Sequence, residues 1–140
     1  MTMTMLTPVL ALVVWTLIVW VWMYTIRIPA MQKAKIDPQD AMHPGSLNTL
    51  PTEARAVADN YNHLHEQPTI FYALAIYSHL AGVADPLNIW LAWGYVAMRV
   101  LHSFMQIVVR KVTLRFYVFA AGSLLLMIIA ARNVIALLLP

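Results

Sequence analysis

Cysteine is absent from the chain, which excludes disulfides, thiolate metal sites and a cysteine nucleophile of the protein's own. Any thiol chemistry must therefore draw on a thiol from elsewhere. Charge is also scarce: only 11% of the residues are charged and 61% are hydrophobic, against about 25% charged in an ordinary soluble domain. That balance places the protein in a membrane. The net charge of +3 comes from scattered residues with no basic face outside the apolar segments, so there is no nucleic-acid interface. A His-x-x-x-Glu metal box is missing as well, and His63 and His65, two apart on a helix, cannot share one ion. At 140 residues the length fits a single domain spanning 1–140.

The chain reads as an all-α integral membrane protein, an antiparallel bundle of helices at about 5–28, 52–84, 86–110 and 113–138. From Met5 to Ile26 no residue is charged, and such a run reaches the roughly 20 residues that a spanning helix needs. It is too long and too rich in tryptophan for a signal peptide, and no basic stretch precedes it. Arg27 closes it, either as an interfacial anchor or as a ligand contact. Residues 29–51 form the one long loop, rich in proline and charge. Pro51 and Thr52 start the second helix, with Glu53 suited to its positive end. Ala120, Ala121, Gly122 and Ser123 are small enough for close helix packing in the fourth. Arg27, Lys33, Lys35, Arg55, Arg110, Lys111 and Arg115 belong to the first and third connections or their flanks, whereas the second connection carries only Asp85. The positive-inside rule then puts the 29–51 loop in the cytoplasm and both termini on the non-cytoplasmic side.

Within this apolar chain lies a polar belt, Asn60-Tyr-Asn-His-Leu-His-Glu-Gln-Pro-Thr-Ile-Phe-Tyr72. Ionisable groups at membrane depth face a partner, a cavity or a ligand. Arg55, Asp59, Asn62 or His63, and Glu66 recur every three or four positions and make one helical stripe. Arg99, His102 and Gln106 make a second, with Tyr95 a turn away, and an antiparallel hairpin would bring Glu66 near Arg99, where carboxylate and guanidinium satisfy each other. Two readings stand at this level. The stripes are ion pairs tying helices together, or they line a ligand pocket, a reading favoured by the excess of Arg55, Arg99 and Arg115 over the acids deep enough to pair with them. Pro68 loosens the helix beside Glu66, as a plain kink or as part of that pocket.

Taken in order, Asn62-His-Leu-His-Glu66-Gln-Pro-x-x-Phe-Tyr72, Tyr95-Val-Ala-Met-Arg99-Val-Leu-His102-Ser103 and Arg115-Phe116 resemble the MAPEG family, the membrane-associated proteins of eicosanoid and glutathione metabolism, in a bacterial-type form. The resemblance covers nearly the whole chain. It implies a four-helix protomer, a homotrimer, and glutathione held between protomers near the cytoplasmic face. By position, Glu66 and Arg99 match the family's polar pocket, Arg27 an arginine that meets a glutathione carboxylate, and Arg115 the arginine that stabilises the thiolate. Arg55, Asn62, His63, His102 and Gln106 complete the implied glutathione site. His63 stands where the family usually has asparagine, Asp59 where the eicosanoid enzymes tend to have arginine, and Gln106 where tyrosine is common.

The physical chemistry is consistent with those roles. A free thiol has a pKa of about 8.5 and a nearby guanidinium favours its nucleophilic form. The leading expectation is a glutathione-dependent transferase or peroxidase acting on lipophilic electrophiles or lipid hydroperoxides that arrive through the lipid bilayer, with glutathione as co-substrate and no metal. The alternative is a noncatalytic membrane scaffold, lipid-binding protein or accessory subunit of a larger membrane complex. A small multidrug-type transporter fits less well, because the polar residues gather at one end instead of following a path across.

Overall fold

A computed structural model of the chain describes residues 4–43 and 45–140, and among these there are helices and no strand. The first helix, α1, runs Leu6–Lys33 and passes through Pro29, five residues beyond the expected end at 28. It stops where Lys35 adopts a left-handed backbone (φ 56°). The Ile36 N–H then bonds the Met31 carbonyl (3.0 Å) and the Lys35 N–H the Gln32 carbonyl (3.1 Å), the paired bonds that close a helix C-terminus. The connection that follows therefore starts near residue 34, not 29, and holds a short 3-10 turn, Pro38–Ala41, capped by the Asp37 side chain.

The expected helix over 52–84 is split. The polar half, α2, spans Thr52–His63 and the apolar half, α3, spans Gln67–Leu80. Pro68 supplies the reason. It has no N–H to donate and its ring would collide with the carbonyl four residues back, at Leu64, which is where α2 ends. The same proline is well tolerated in the first turn of the restarted helix. The Thr69 hydroxyl donates to the Glu66 carbonyl (2.6 Å), tying down the break.

Asp85 and Pro86 open α4, Pro86–Phe104, the Asp85 carboxylate accepting from the Asn88 N–H (2.8 Å). Asn88, Ala92, Tyr95, Arg99 and His102 are all buried along it, one stripe at helical spacing. A π-helical turn, Met105–Val109, ends the helix on a left-handed Arg110, and the last helix, α5, covers Val112–Leu138. Two of the helices, α1 and α5, are long and apolar enough to cross a membrane.

The helix α5 buries only Gly122, Leu126, Ile129 and Asn133, and it packs mainly on α4. Of the four small residues noted in the sequence, Gly122 makes the close approach: a Cβ there would lie 3.3 Å from the Met98 Cβ. Ser123 instead accepts from the Gln67 amide (2.8 Å), while Ala120 and Ala121 are exposed. Because the obstructing atom is next to the α4 backbone, Gly122→Val is expected to cost about 1–3 kcal/mol by overpacking, a drop of several degrees in a thermal melt of the detergent-solubilised protein.

At the end of the bundle holding the second connection, polar groups satisfy one another. Arg132 donates to Asn88 Oδ1 (2.7 Å) and to the Asp85 carboxylate, Asn88 donates to the Val83 carbonyl (2.9 Å), and Asn133 donates to the Ser78 hydroxyl (2.6 Å). This clamp joins the α3–α4 hairpin to α5.

Candidate functional site

The sequence-predicted residues lie at the opposite end, around α2, the π-helical turn and the start of α5. Asn60 and Gln106 are both buried and face each other, with the Asn60 amide donating to Gln106 Oε1 (3.0 Å). That bond draws the π-helical turn against α2. Arg110, just after the turn, pairs with Glu53 at 3.4 Å. The backbone N–H and then Arg110 hold the Glu53 carboxyl below its usual range, so the pair persists at neutral pH and is lost only as pH falls through that lowered value.

Three cavities surround this scaffold. A charged one of about 250 Å³ is bounded by Arg55, Asp59, Gln106, Arg110, Lys111 and Arg115. A larger one of about 550 Å³ lies between the first loop and α2, with Arg27, Asn48 and Asn62 among its walls. Arg55 and Asp59 belong to both and so form the partition between them. A third, about 190 Å³, is an apolar cleft of Val112, Phe116 and Phe119 with His63, His102 and Arg115 in its lining. Arg115 is common to the charged cavity and the apolar cleft.

Electrostatically the region is cationic. Among the described residues no carboxylate oxygen lies within 4 Å of Arg27, Arg55, Arg99, Lys111 or Arg115, since the ion pairs are His63–Glu66, Arg110–Glu53 and Arg132–Asp85. Arg99 is the extreme case. Its residue is 1% exposed, its Nη2 reaches the His63 carbonyl at 3.4 Å, and its Nε and Nη1 have no partner. The Asn60 Oδ1 and His102 Nδ1 are likewise buried and unpartnered. The His63 and His102 rings lie 5.3 Å apart, centroid to centroid.

The expected contact between Glu66 and Arg99 is not made. Glu66 lies in the break, as the residue before α3, and its side chain is 65% exposed and 3.9 Å from His63 Nδ1. The α2 stripe therefore stops at His63, because a split helix does not carry the three- and four-residue spacing across the break. Glu66 lines none of the three cavities.

A MAPEG family profile matches residues 5–135. The chain belongs to the MAPEG family. No curated protein and no solved structure matches it. The MAPEG match runs through the first loop, both polar stripes and Arg115, and it places the chain among membrane-associated proteins of a family that generally uses glutathione. Among the described residues no three His, Cys, Asp or Glu side chains are arranged to hold a metal ion.

Several members of the site escaped the sequence. Asp59 was visible as a departure from the family pattern, yet its place in the wall between two cavities was not. Lys111 and Arg110 read only as a topological signal. Gln67, which accepts from the Tyr95 hydroxyl (3.1 Å) and donates to Ser123, and Ser103, which accepts from Trp15 (3.0 Å), support the second stripe from behind. The only hint of them was their place inside the quoted motifs.

Proposed function

We propose that this MAPEG protein is a membrane-bound glutathione-dependent transferase or peroxidase acting on lipophilic electrophiles, working as a homotrimer of four-span protomers with both termini on the non-cytoplasmic side. The observation that carries the reading is the position of Arg115, common to a charged cavity and to an apolar cleft. A two-substrate reaction between a water-soluble thiol and a lipid-borne acceptor needs such a meeting point.

Glutathione is an anion with two carboxylates and one ammonium, and it supplies the thiol that this cysteine-free chain lacks. The unpaired cations Arg27 and Arg55 suit its carboxylates, and the Asp59 carboxylate suits its ammonium. Asn62 adds hydrogen-bonding capacity in the same large cavity. Arg99 lines none of the three cavities and adds buried positive charge with unpartnered N–H groups. Arg115 holds the sulfur as thiolate by charge, and His63 and His102 offer ring nitrogens at the cleft where the acceptor arrives. Glu66 would act from outside these cavities, through His63.

Millimolar glutathione is expected to raise the melting temperature of the detergent-solubilised protein, and Arg27→Gln to reduce that rise. Absence of any shift in the wild-type protein counts against the enzyme and leaves the scaffold or accessory-subunit reading.

A further inference from the structure

The charged cavity holds Lys111, a cation that the glutathione reading does not use, beside Arg55 and Arg115, which it does. Among the described residues, Arg55, Lys111 and Arg115 border it without a carboxylate within 4 Å, Arg110 borders it already paired to Glu53, and Asp59 is the only acid in its lining. The cavity also meets the first turn of α5. No side chain caps that helix, and its first turn is closed by the Arg115 N–H bonding the Lys111 carbonyl. The N–H groups of Val112, Thr113 and Leu114 precede that bond and have no intrahelical acceptor. Guanidinium forks and an ammonium together match a phosphate, which offers several acceptor oxygens around one negative centre, and the helix N-terminus beside them favours its charge.

The surroundings point to where that phosphate comes from. The helix α5 is apolar and long enough to cross a membrane, so its first turn marks the level at which hydrocarbon gives way to headgroups. Immediately beyond the cavity Val112 is 67% exposed and Phe116 62% exposed. They lie four residues apart and so form one apolar track down the helix. A phosphate held at Lys111 would have its acyl chains on that track.

We infer that the cavity between α2, the π-helical turn and the start of α5 binds the phosphate of an anionic phospholipid headgroup, with Lys111, Arg55 and Arg115 as its cations and Val112 and Phe116 along its chains. This goes beyond the glutathione reading and does not rest on it; the two ligands share Arg55 and Arg115 and so occupy that part of the cavity in turn. The site fixes the lipid by charge and by a two-part surface, and basic pockets beside membrane helices recognise anionic headgroups in this way.

The test is native mass spectrometry of the full chain, released from mild detergent after exposure to equimolar dioleoyl phosphatidylglycerol and dioleoyl phosphatidylcholine, with no glutathione added. Wild-type protein is expected to retain phosphatidylglycerol over phosphatidylcholine by about tenfold, and Lys111→Gln to cut that preference about fivefold, the effect of one basic residue near an anionic surface. Lys111 is exposed, so this substitution leaves the fold intact, and Lys111→Arg is expected to keep the preference. Lys33→Gln, which removes a cation outside the cavity, is expected to change nothing. Equal retention of the two lipids by the wild type overturns the proposal. So does an equal loss with Lys33→Gln, which would mark general surface charge. Inorganic phosphate is the second arm: competition with bound phosphatidylglycerol supports the site, whereas stabilisation by phosphate without any lipid preference assigns it to a soluble phosphate and overturns the lipid.

Discussion

Arg115→Ala is expected to lower the maximal rate of glutathione conjugation by about 10²-fold, the scale seen when one preorganised charge-stabilising donor is removed from an active site. The half-saturating glutathione concentration should change far less, because Arg27 and Arg55, the proposed partners of the carboxylates, remain. Arg115 stands between the charged cavity and the cleft of Val112, Phe116 and Phe119. A guanidinium there stabilises the thiolate and not the thiol, so the pKa of bound glutathione should fall below its free value of about 8.5. In the wild type the rate should therefore rise with pH and level off below that value. In Arg115→Ala the rise should move up toward it, and Arg115→Lys should recover part of the difference. Stopped-flow conjugation of a model electrophile across a pH series measures all three, and an unchanged rate for the alanine variant would remove Arg115 from the chemistry.

The second large effect concerns Arg99. A guanidinium that is 1% exposed, with two unpartnered nitrogens and no carboxylate within 4 Å among the described residues, is an uncompensated buried charge, and such a charge costs several kcal/mol. Only the 3.4 Å bond to the His63 carbonyl offsets it. Arg99→Met keeps the volume and removes the charge. It is expected to stabilise the ligand-free protein by about 2 kcal/mol, a rise of roughly 6 °C in melting temperature for a chain of this size. The same substitution should reduce the further rise produced by glutathione, because part of the positive charge that favours an anionic ligand is gone. A variant that melts lower than the wild type without ligand would contradict this account and make Arg99 a structural residue satisfied in some other way.

Much of the scaffold could be read directly from the residues. The uncharged stretch after Met5 and the apolar stretch after Phe116 correspond to α1 and α5 because a long apolar run has few alternatives to a helix. Arg99 and His102 could be grouped because α4 is regular through Phe104, which keeps its helical spacing, whereas Gln106 lies beyond it in the π-helical turn. Regular helical spacing misleads where the backbone is irregular. It carried α2 on through Leu64, although Pro68 forbids that, and so it set Glu66 against Arg99. It ended α1 at residue 28, before Pro29, whereas the closure on Lys35 lies beyond it. It also gave no warning of the π-helical turn, whose extra residue per turn depends on contacts with a distant segment such as the Asn60–Gln106 bond. Cavities were the least legible, since Asp59 and Lys111 acquire their positions from three separate elements meeting.

The clamp of Asp85, Asn88 and Arg132 also has a mechanical meaning. At that end of the bundle the polar groups of the clamp are matched across α3, α4 and α5, whereas at the other end Asn60, Arg99 and His102 keep unmatched atoms. The protein is thus stiff at one end and compliant at the other, like a tuning fork held at its stem. Amide exchange should be slowest around Asn88 and Asn133 and quicken toward His63 and Gln106, leaving the end that carries the cavities free to adjust its helices while the stem fixes their pairing.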